Sequence, residues 1–325
     1  MLIARNPGQR DSDRRGKVDW KRALGVERLG LRSRRSRAER ELIERLRKLG
    51  LVHRPFSIEP ISGGLSNRNF AVRTGGKCYF ARVCQELPFL GIERRNEIVC
   101  HQAASARGLA PEVIYHERGL LITRFIDGRT LDPSALHEPS MLARVSALLG
   151  RLHAGWDEVT GEVLYFCGFQ TVRTYARTAA RLEAVLPDDI ERILEDITAL
   201  SHRIAPFRPV LCHNDLMPAN WIDDGERLWL LDWEYSGAGH PLFDLAHAST
   251  TASLSMEQQR AMLEAYPGRL PVAALEELQI FRVVALLRET LWSTIQSVAS
   301  DIDFDFKQYA VENLQAYRVA RAALE

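Results

Sequence analysis

The run "LCHNDLMPANWI", Leu211 to Ile222, sets His213, Asn214, Asp215 and Asn220 between apolar flanks. Burying a carboxylate and an amide is costly unless each is hydrogen-bonded or holds a cation, so these groups need either partners or a ligand. Four residues separate Asp215 from Asn220, and Asp232 lies twelve beyond Asn220 in "RLWLLDWEY". That spacing accommodates a strand, a turn and a second strand, a hairpin that returns Asp232 to the side of Asn220. One carboxylate and one amide oxygen there suit a magnesium ion (Mg2+), which takes hard oxygen ligands. Asp215 then stays free as an acceptor, the layout of phosphoryl transfer in which one Asp receives a hydroxyl's proton while an Asn and a second Asp hold metal. The structural alternative is a turn in which Asp215 caps backbone amides.

A second set lies upstream. "ISGGLSNRNFAV" places Gly63, Gly64, Leu65, Ser66 and Asn67 between two strands, where backbone amides can approach a phosphate closely. A plain hairpin uses the same residues. "CYFARV" carries one cation, Arg82, in an apolar strand, and Glu97, fifteen residues on, is its natural partner. The pair either holds Arg82 over a nucleotide's phosphates or is a structural ion pair. Glu234, beside Asp232, either meets a metal-bound water or faces outward and braces the loop around Arg94 or Arg95. Asp244 in "HPLFDLA" suits a structural role, capping the helical run that follows or bonding the 213–215 loop. His213 is expected to orient that loop. His153 and the remaining histidines lack partners at metal-ligand spacing.

These residues need a frame. From Phe56 to Gly128 the pattern is short alternating runs joined at glycine pairs, an antiparallel meander interrupted by one helix in "GIERRNEIVCHQAASARGLAP" that stops at Gly108 and Pro111. Beyond Gly128 apolar residues recur at three- and four-residue spacing over 138–156, 171–187, 188–204, 255–267, 271–299 and 305–324, broken by short strands only around 210–232. The fold class is therefore α+β, a small sheet-rich lobe over 37–128, with a hinge near Phe125 to Thr130, and a larger helical lobe over 129–325. Clefts between lobes are preferred ligand sites.

Composition bounds the rest. The 325 residues are 46% hydrophobic and 26% charged with a net charge of +1. Residues 1–40 carry 13 Lys/Arg and 5 Asp/Glu, +8, which leaves −7 for the remainder. Residues 1–36 read as a solvated, partly helical basic extension or as translation begun upstream, and ordered structure is expected from near Arg37, where Leu42, Ile43, Leu46 and Leu49 fall at helical spacing. Five cysteines without C-x-x-C spacing read as reduced thiols of a cytoplasmic protein. No apolar run reaches the roughly 18–20 residues of a membrane span, and "MLIARNPGQRDSDRRGK" lacks a signal peptide's apolar core.

Together, "SGGLSNRNF", "ARV", "RRNEIVCHQAASARGLAPEVIY", "HNDLMPANW" and "LLDWEYSGAGHPLFDLA" resemble the aminoglycoside phosphotransferase and choline kinase family over roughly Phe56 to Tyr309, the last two motifs most closely its bacterial choline and ethanolamine kinases. The resemblance implies a protein-kinase-like two-lobed fold and ATP as co-substrate. It makes Asp215 the catalytic base, Asn220 and Asp232 the magnesium ligands, Gly63 to Asn67 the phosphate loop and Arg82 with Glu97 the phosphate-positioning pair. "ITRFIDG" becomes the hinge at adenine, with Thr123 and Phe125. Two departures from protein kinases, Arg82 in place of Lys and Trp233-Glu234 in place of Phe-Gly, agree with a small-molecule acceptor.

The implied acceptor is an alcohol, expected to be cationic. "LRETLWSTIQSVASDIDFDFKQYA" gathers Glu289, Trp292, Gln296, Asp305 and Tyr309, and aromatic faces with nearby carboxylates suit an ammonium group. With Glu234 these are the candidate substrate contacts, although a Trp on an amphipathic helix also reads as core. Choline or ethanolamine is the expected acceptor, with thiamine or an aminoglycoside as alternatives. A catalytically silent nucleotide-binding pseudokinase is the rival of another class, and the intact Asp215, Asn220 and Asp232 count against it. A tether built on the arginine-rich N-terminus is a further rival, while the core is expected to take no nucleic acid.

Overall fold

Alternation in the first lobe produces a five-stranded antiparallel sheet of order β1-β2-β3-β5-β4 in the computed structural model, which describes residues 37–53, 55–61, 67–84 and 87–325. The basic extension over 1–36 lies outside the described residues. A first helix, α1 (Arg37–Lys48), precedes β1 (Phe56–Ile61), β2 (Arg68–Thr74) and β3 (Lys77–Val83). Thr74 pairs with Lys77 across a two-residue turn in which Gly75 and Gly76 have φ of 54° and 76°, values that L side chains rarely adopt. After α2 (Arg94–Ala106), strands β4 (Val113–Glu117) and β5 (Leu120–Arg124) complete the sheet. Leu42 and Leu46 of α1 close its core against Phe70, Val72, Ala81, Leu120 and Ile122, so this lobe carries a second helix besides α2.

The hinge leads into β6 (Arg129–Thr130), which pairs not with that sheet but with the second lobe. A Cβ on Gly128 would lie 2.5 Å from Ile222 Cγ2 and 2.7 Å from the Asp223 carbonyl oxygen, so only glycine lets the crossing chain pack this closely. Helices α3 (Pro139–Ala154), α4 (Gly168–Arg181) and α5 (Ile190–Ser201) follow, then β7 (Val210–Cys212) and the hairpin of β8 (Trp221–Asp223) and β9 (Leu228–Leu230). β10 (Gly237–Gly239) pairs with β7, and α6 (Pro241–Thr251), α7 (Met256–Ala265), α8 (Ala274–Ala299) and α9 (Phe306–Ala322) complete the chain. The 26-residue α8 runs through the middle, packed by α4, α6 and α9, and is buried on most of its faces.

The element order is that of a protein-kinase-like α+β fold. Three particulars differ from the sequence pattern. α4 spans 168–181 rather than 171–187, ended by Glu183 at φ 55°. α6 begins at Pro241, so Asp244 lies inside the helix that was expected to follow it; nearly all its residues are buried and no polar face alternates with an apolar one to mark its start. The buried side chains Cys100 and Ala104 of α2 join the large core rather than the core of the sheet, so α2 is packed as a bridge between lobes.

Candidate active site

β7 delivers His213, Asn214 and Asp215 into a loop held from behind by Asp244, the fourth residue of α6. Its carboxylate accepts from the His213 amide at 2.9 Å and the Asn214 amide at 2.7 Å, and its Oδ2 lies 3.1 Å from His153 Nε2. Asp244 thus bonds the loop, while the α6 cap is His240, whose Nδ1 accepts from the Leu242 amide at 3.1 Å. Burial pushes the Asp244 carboxyl up, but His153 and the His213 amide more than offset that and hold it below the ordinary range. His153 is satisfied, its other nitrogen 2.7 Å from the Tyr266 hydroxyl. Asn214 sits at φ 64° and gives its side-chain amide to the Tyr235 carbonyl at 3.0 Å.

His213 is wholly buried, and burial lowers its pKa to about 4, so it is neutral. Its Nδ1 accepts from the Asp215 amide at 3.3 Å, which assigns the proton to Nε2, donating to the Leu231 carbonyl at 2.8 Å. It therefore orients the loop and ties it to the β8–β9 hairpin. The hairpin does return the chain: the Leu231 amide donates to the Asn220 carbonyl at 2.9 Å, immediately before Asp232.

Asn220 Nδ2 donates to the Asp215 carbonyl at 2.9 Å, which leaves Oδ1 as its free ligand atom. With the Asp232 carboxylate this donor set fits a hard divalent cation such as magnesium. Asp232 lies at φ 63°. Burial, and then the charge of Glu234, raise its pKa to about 7 against the pull of Arg82. Arg82 is ion-paired with both Glu97 and Asp232. Glu234 is buried rather than outward-facing. Its Oε2 accepts from Arg94 at 2.9 Å and Asn67 at 3.0 Å, and Arg94 also reaches Glu97 at 2.7 Å. Glu234 therefore braces the first lobe through Arg94 and Asn67. Of the phosphate loop, Gly63, Gly64, Leu65 and Ser66 lie outside the described residues. At the hinge Thr123 is buried at the end of β5, and the Phe125 amide is spent on the Cys78 carbonyl at 3.2 Å, leaving its carbonyl and ring.

On the other side of Asp215, α8 presents Arg288 and Glu289. Glu289 Oε1 lies 3.3 Å from Arg288 Nη1 and 3.6 Å from His247 Nε2, and the same Nη1 is 3.6 Å from Asp215 Oδ1. Ligand atoms of Asp215, His247 and Glu289 fall within 4.8 Å of one another. The side chains of Asp215 and Glu289 keep 17% and 14% exposure, so both reach the cleft. Burial raises the Asp215 pKa to about 6, with Arg288 and His247 opposing the rise. Trp292 donates to the Tyr235 hydroxyl at 2.9 Å and meets Phe306 edge-on at 5.8 Å, while Tyr309 packs against Phe304 at 5.7 Å. Gln296 is buried one turn beyond Trp292. Asp305 is a correction: it is exposed and its carboxylate caps α9 through the Gln308 amide at 2.9 Å. Arg288 and His247 were not marked by sequence reading, although a cation directly after the apolar run "VVALL" was the available signal for Arg288.

Residues 57–279 match the model of the phosphotransferase enzyme family. The chain is 28% identical over 273 residues to Protein LicA of Haemophilus influenzae, spanning 78% of this chain and 77% of that protein. It is 24% identical over 298 residues to a probable ethanolamine kinase of Arabidopsis thaliana, spanning 81% and 79%. A choline/ethanolamine kinase family protein from Mesorhizobium loti superposes with a TM-score of 0.72 at 26% identity, over 86% of this chain and 94% of that one. A match over residues 57–279 covers the sheet, the hinge, the 213–232 loops and the start of α8, and the chain belongs to the phosphotransferase enzyme family.

Proposed function

We propose that the chain is a small-molecule kinase that transfers the γ-phosphoryl group of ATP to the hydroxyl of an amino alcohol, with choline and ethanolamine as the acceptors its relatives' names suggest. The observation that carries this reading is the pair of carboxylates, Asp215 and Glu289, reaching one cleft within 4.8 Å of each other beside Trp292 and Tyr309. A short amino alcohol has a hydroxyl at one end and an ammonium at the other, and two carboxylates this close can receive both ends. Asp215 accepts the hydroxyl's hydrogen bond and aligns its oxygen for in-line attack. Glu289 and the aromatic walls meet the ammonium, whose lost hydration is offset by charge and by ring faces. Asn220 and Asp232 would hold magnesium, which when bound neutralises charge on the transferring phosphates. Arg82, fixed by Glu97, faces those phosphates from the first lobe.

An aminoglycoside, a polycation, would call for carboxylates spread over an open cleft. Here Glu289 is the carboxylate beside the base, its charge already shared with Arg288. The test is an ADP-release assay with ATP and magnesium against choline, ethanolamine, thiamine, an aminoglycoside and a sugar, with and without chelator. Turnover on an amino alcohol should fall by roughly 100-fold or more in Asp215→Ala while ATP affinity holds. Binding of ATP with no turnover on any acceptor would replace this reading with that of a silent nucleotide-binding protein.

A further inference from the structure

We propose that Arg288 is a positioning residue of the acceptor site, aiming the Asp215 carboxylate by gripping the main chain beside it and by sharing its charge between Asp215 and Glu289. The inference rests on the reading of Asp215 as the base. Arg288 follows directly on an apolar stretch of α8, Val283 to Leu287, and is 1% exposed. A buried guanidinium is expensive to desolvate, and an apolar side chain of similar volume would usually serve packing as well, so fold stability alone does not account for it.

Its contacts point at the loop. Nη1 donates to the Asn214 carbonyl at 2.9 Å, one residue before the base. Asn214 is in the left-handed region at φ 64°, a conformation that surrounding contacts must hold in place. The same nitrogen lies within ion-pair distance of both carboxylates and 3.3 Å from His247 Nε2. The plane of the guanidinium is fixed by the Tyr235 ring, whose centroid is 4.6 Å from Cζ, and by Phe166 at 5.8 Å. With its plane held by the two rings, the guanidinium joins the backbone at Asn214 to Asp215 and Glu289 through one nitrogen, Nη1. A lysine reproduces the charge but not the flat group that the Tyr235 ring holds in place, so its ammonium is less firmly aimed.

The test compares wild type with Arg288→Met, Arg288→Gln and Arg288→Lys on the amino alcohol that wild type turns over best, and in parallel measures slow ATP hydrolysis to water. In the Met and Gln variants kcat should fall on the order of 100-fold, the scale of a misplaced catalytic group, while KM for ATP stays near wild type. Arg288→Lys should recover part of the loss, and added guanidinium ion should partly rescue Arg288→Ala. If Met does not fold, the Gln and Lys variants decide. A kcat near wild type in Met or Gln overturns the proposal, as does a fall in kcat matched by an equal loss of ATP affinity, which marks a folding role. Should wild type turn over no amino alcohol, the proposed function fails, and hydrolysis to water decides the role of Arg288 separately.

Discussion

Asp244→Asn preserves shape and removes one acceptor, and the structure allows its cost to be worked out. The carboxylate serves three groups: the amides of His213 and Asn214, and His153 Nε2. An Asn retains one oxygen. With that oxygen on the Asn214 amide, its NH2 faces His153 and the His213 amide. His153 can shift its proton to Nδ1, donate to Tyr266 and accept from the new NH2. The His213 amide can do nothing similar and is left as a buried donor facing a donor, at about 1–3 kcal/mol, while the Asn214 bond loses its charge assistance, about 1 kcal/mol more. The sum of about 3 kcal/mol should lower the melting temperature by about 5–10 °C in a chain of this size. Because both amides immediately precede Asp215, kcat should fall on the order of 100-fold with KM for ATP unchanged. Calorimetry and the ADP-release assay read the two effects on one preparation. A melting temperature and a kcat both indistinguishable from wild type would refute the reasoning that Asp244 holds the base through its backbone.

Glu289→Gln keeps the side-chain shape and removes the charge that the proposed function assigns to the acceptor's ammonium. KM for the amino alcohol should rise about 10- to 100-fold, the equivalent of one charge-assisted hydrogen bond, with KM for ATP unmoved. Asp305→Ala should do the opposite, losing about 1 kcal/mol of stability with the cap of α9 and leaving KM for the acceptor unchanged. Stability should also depend on pH through buried histidines. Burial lowers His101 to about 4 and His240 to about 3, below the ordinary 6.5, so the unfolded chain binds these protons first and stability present above pH 6.5 is lost as pH falls toward 4. Urea unfolding at pH 7.5 and pH 5 reads this, and His240→Asn, which keeps a capping acceptor, should flatten the slope.

The sheet and the main site were legible because their signals are local. Alternating runs broken at Gly75-Gly76 marked β2 and β3, and a lone Arg in an apolar strand demanded the partner it has in Glu97. The hairpin that returns Asp232 to Asn220 followed from the count of residues between them. What escaped notice depends on tertiary surroundings. β6, two residues long, exists only through its pairing with β8, and the start of α6, ahead of the run expected after Asp244, is buried too completely to show a period. Asp305 looked like a pocket carboxylate because it stands among aromatic residues in sequence, yet it begins a helix and caps it. Arg288 stood in the same quoted stretch as Glu289, and only the packing of α8 against the 213–215 loop reveals what it grips.

The charges between the lobes follow a simple alternation. Trp233 is wholly buried, its ring 4.7 Å from that of His213, and anchors the strand end to the core of the second lobe. Its neighbours Asp232 and Glu234 point the other way and meet Arg82 and Arg94, with Glu97 joining the two arginines from α2. Buried ion pairs contribute little net stability, so an apolar seam would join the lobes as well. What these pairs add is direction. Asp232 and Glu234 are each registered against a cation of the opposite lobe, and both are registered through Trp233 against the histidine that orients the Asp215 loop. A change that loosens Trp233 should therefore be felt at Asp232, at Glu234 and at Asp215 together, which distinguishes a coupled site from three residues that share a cleft.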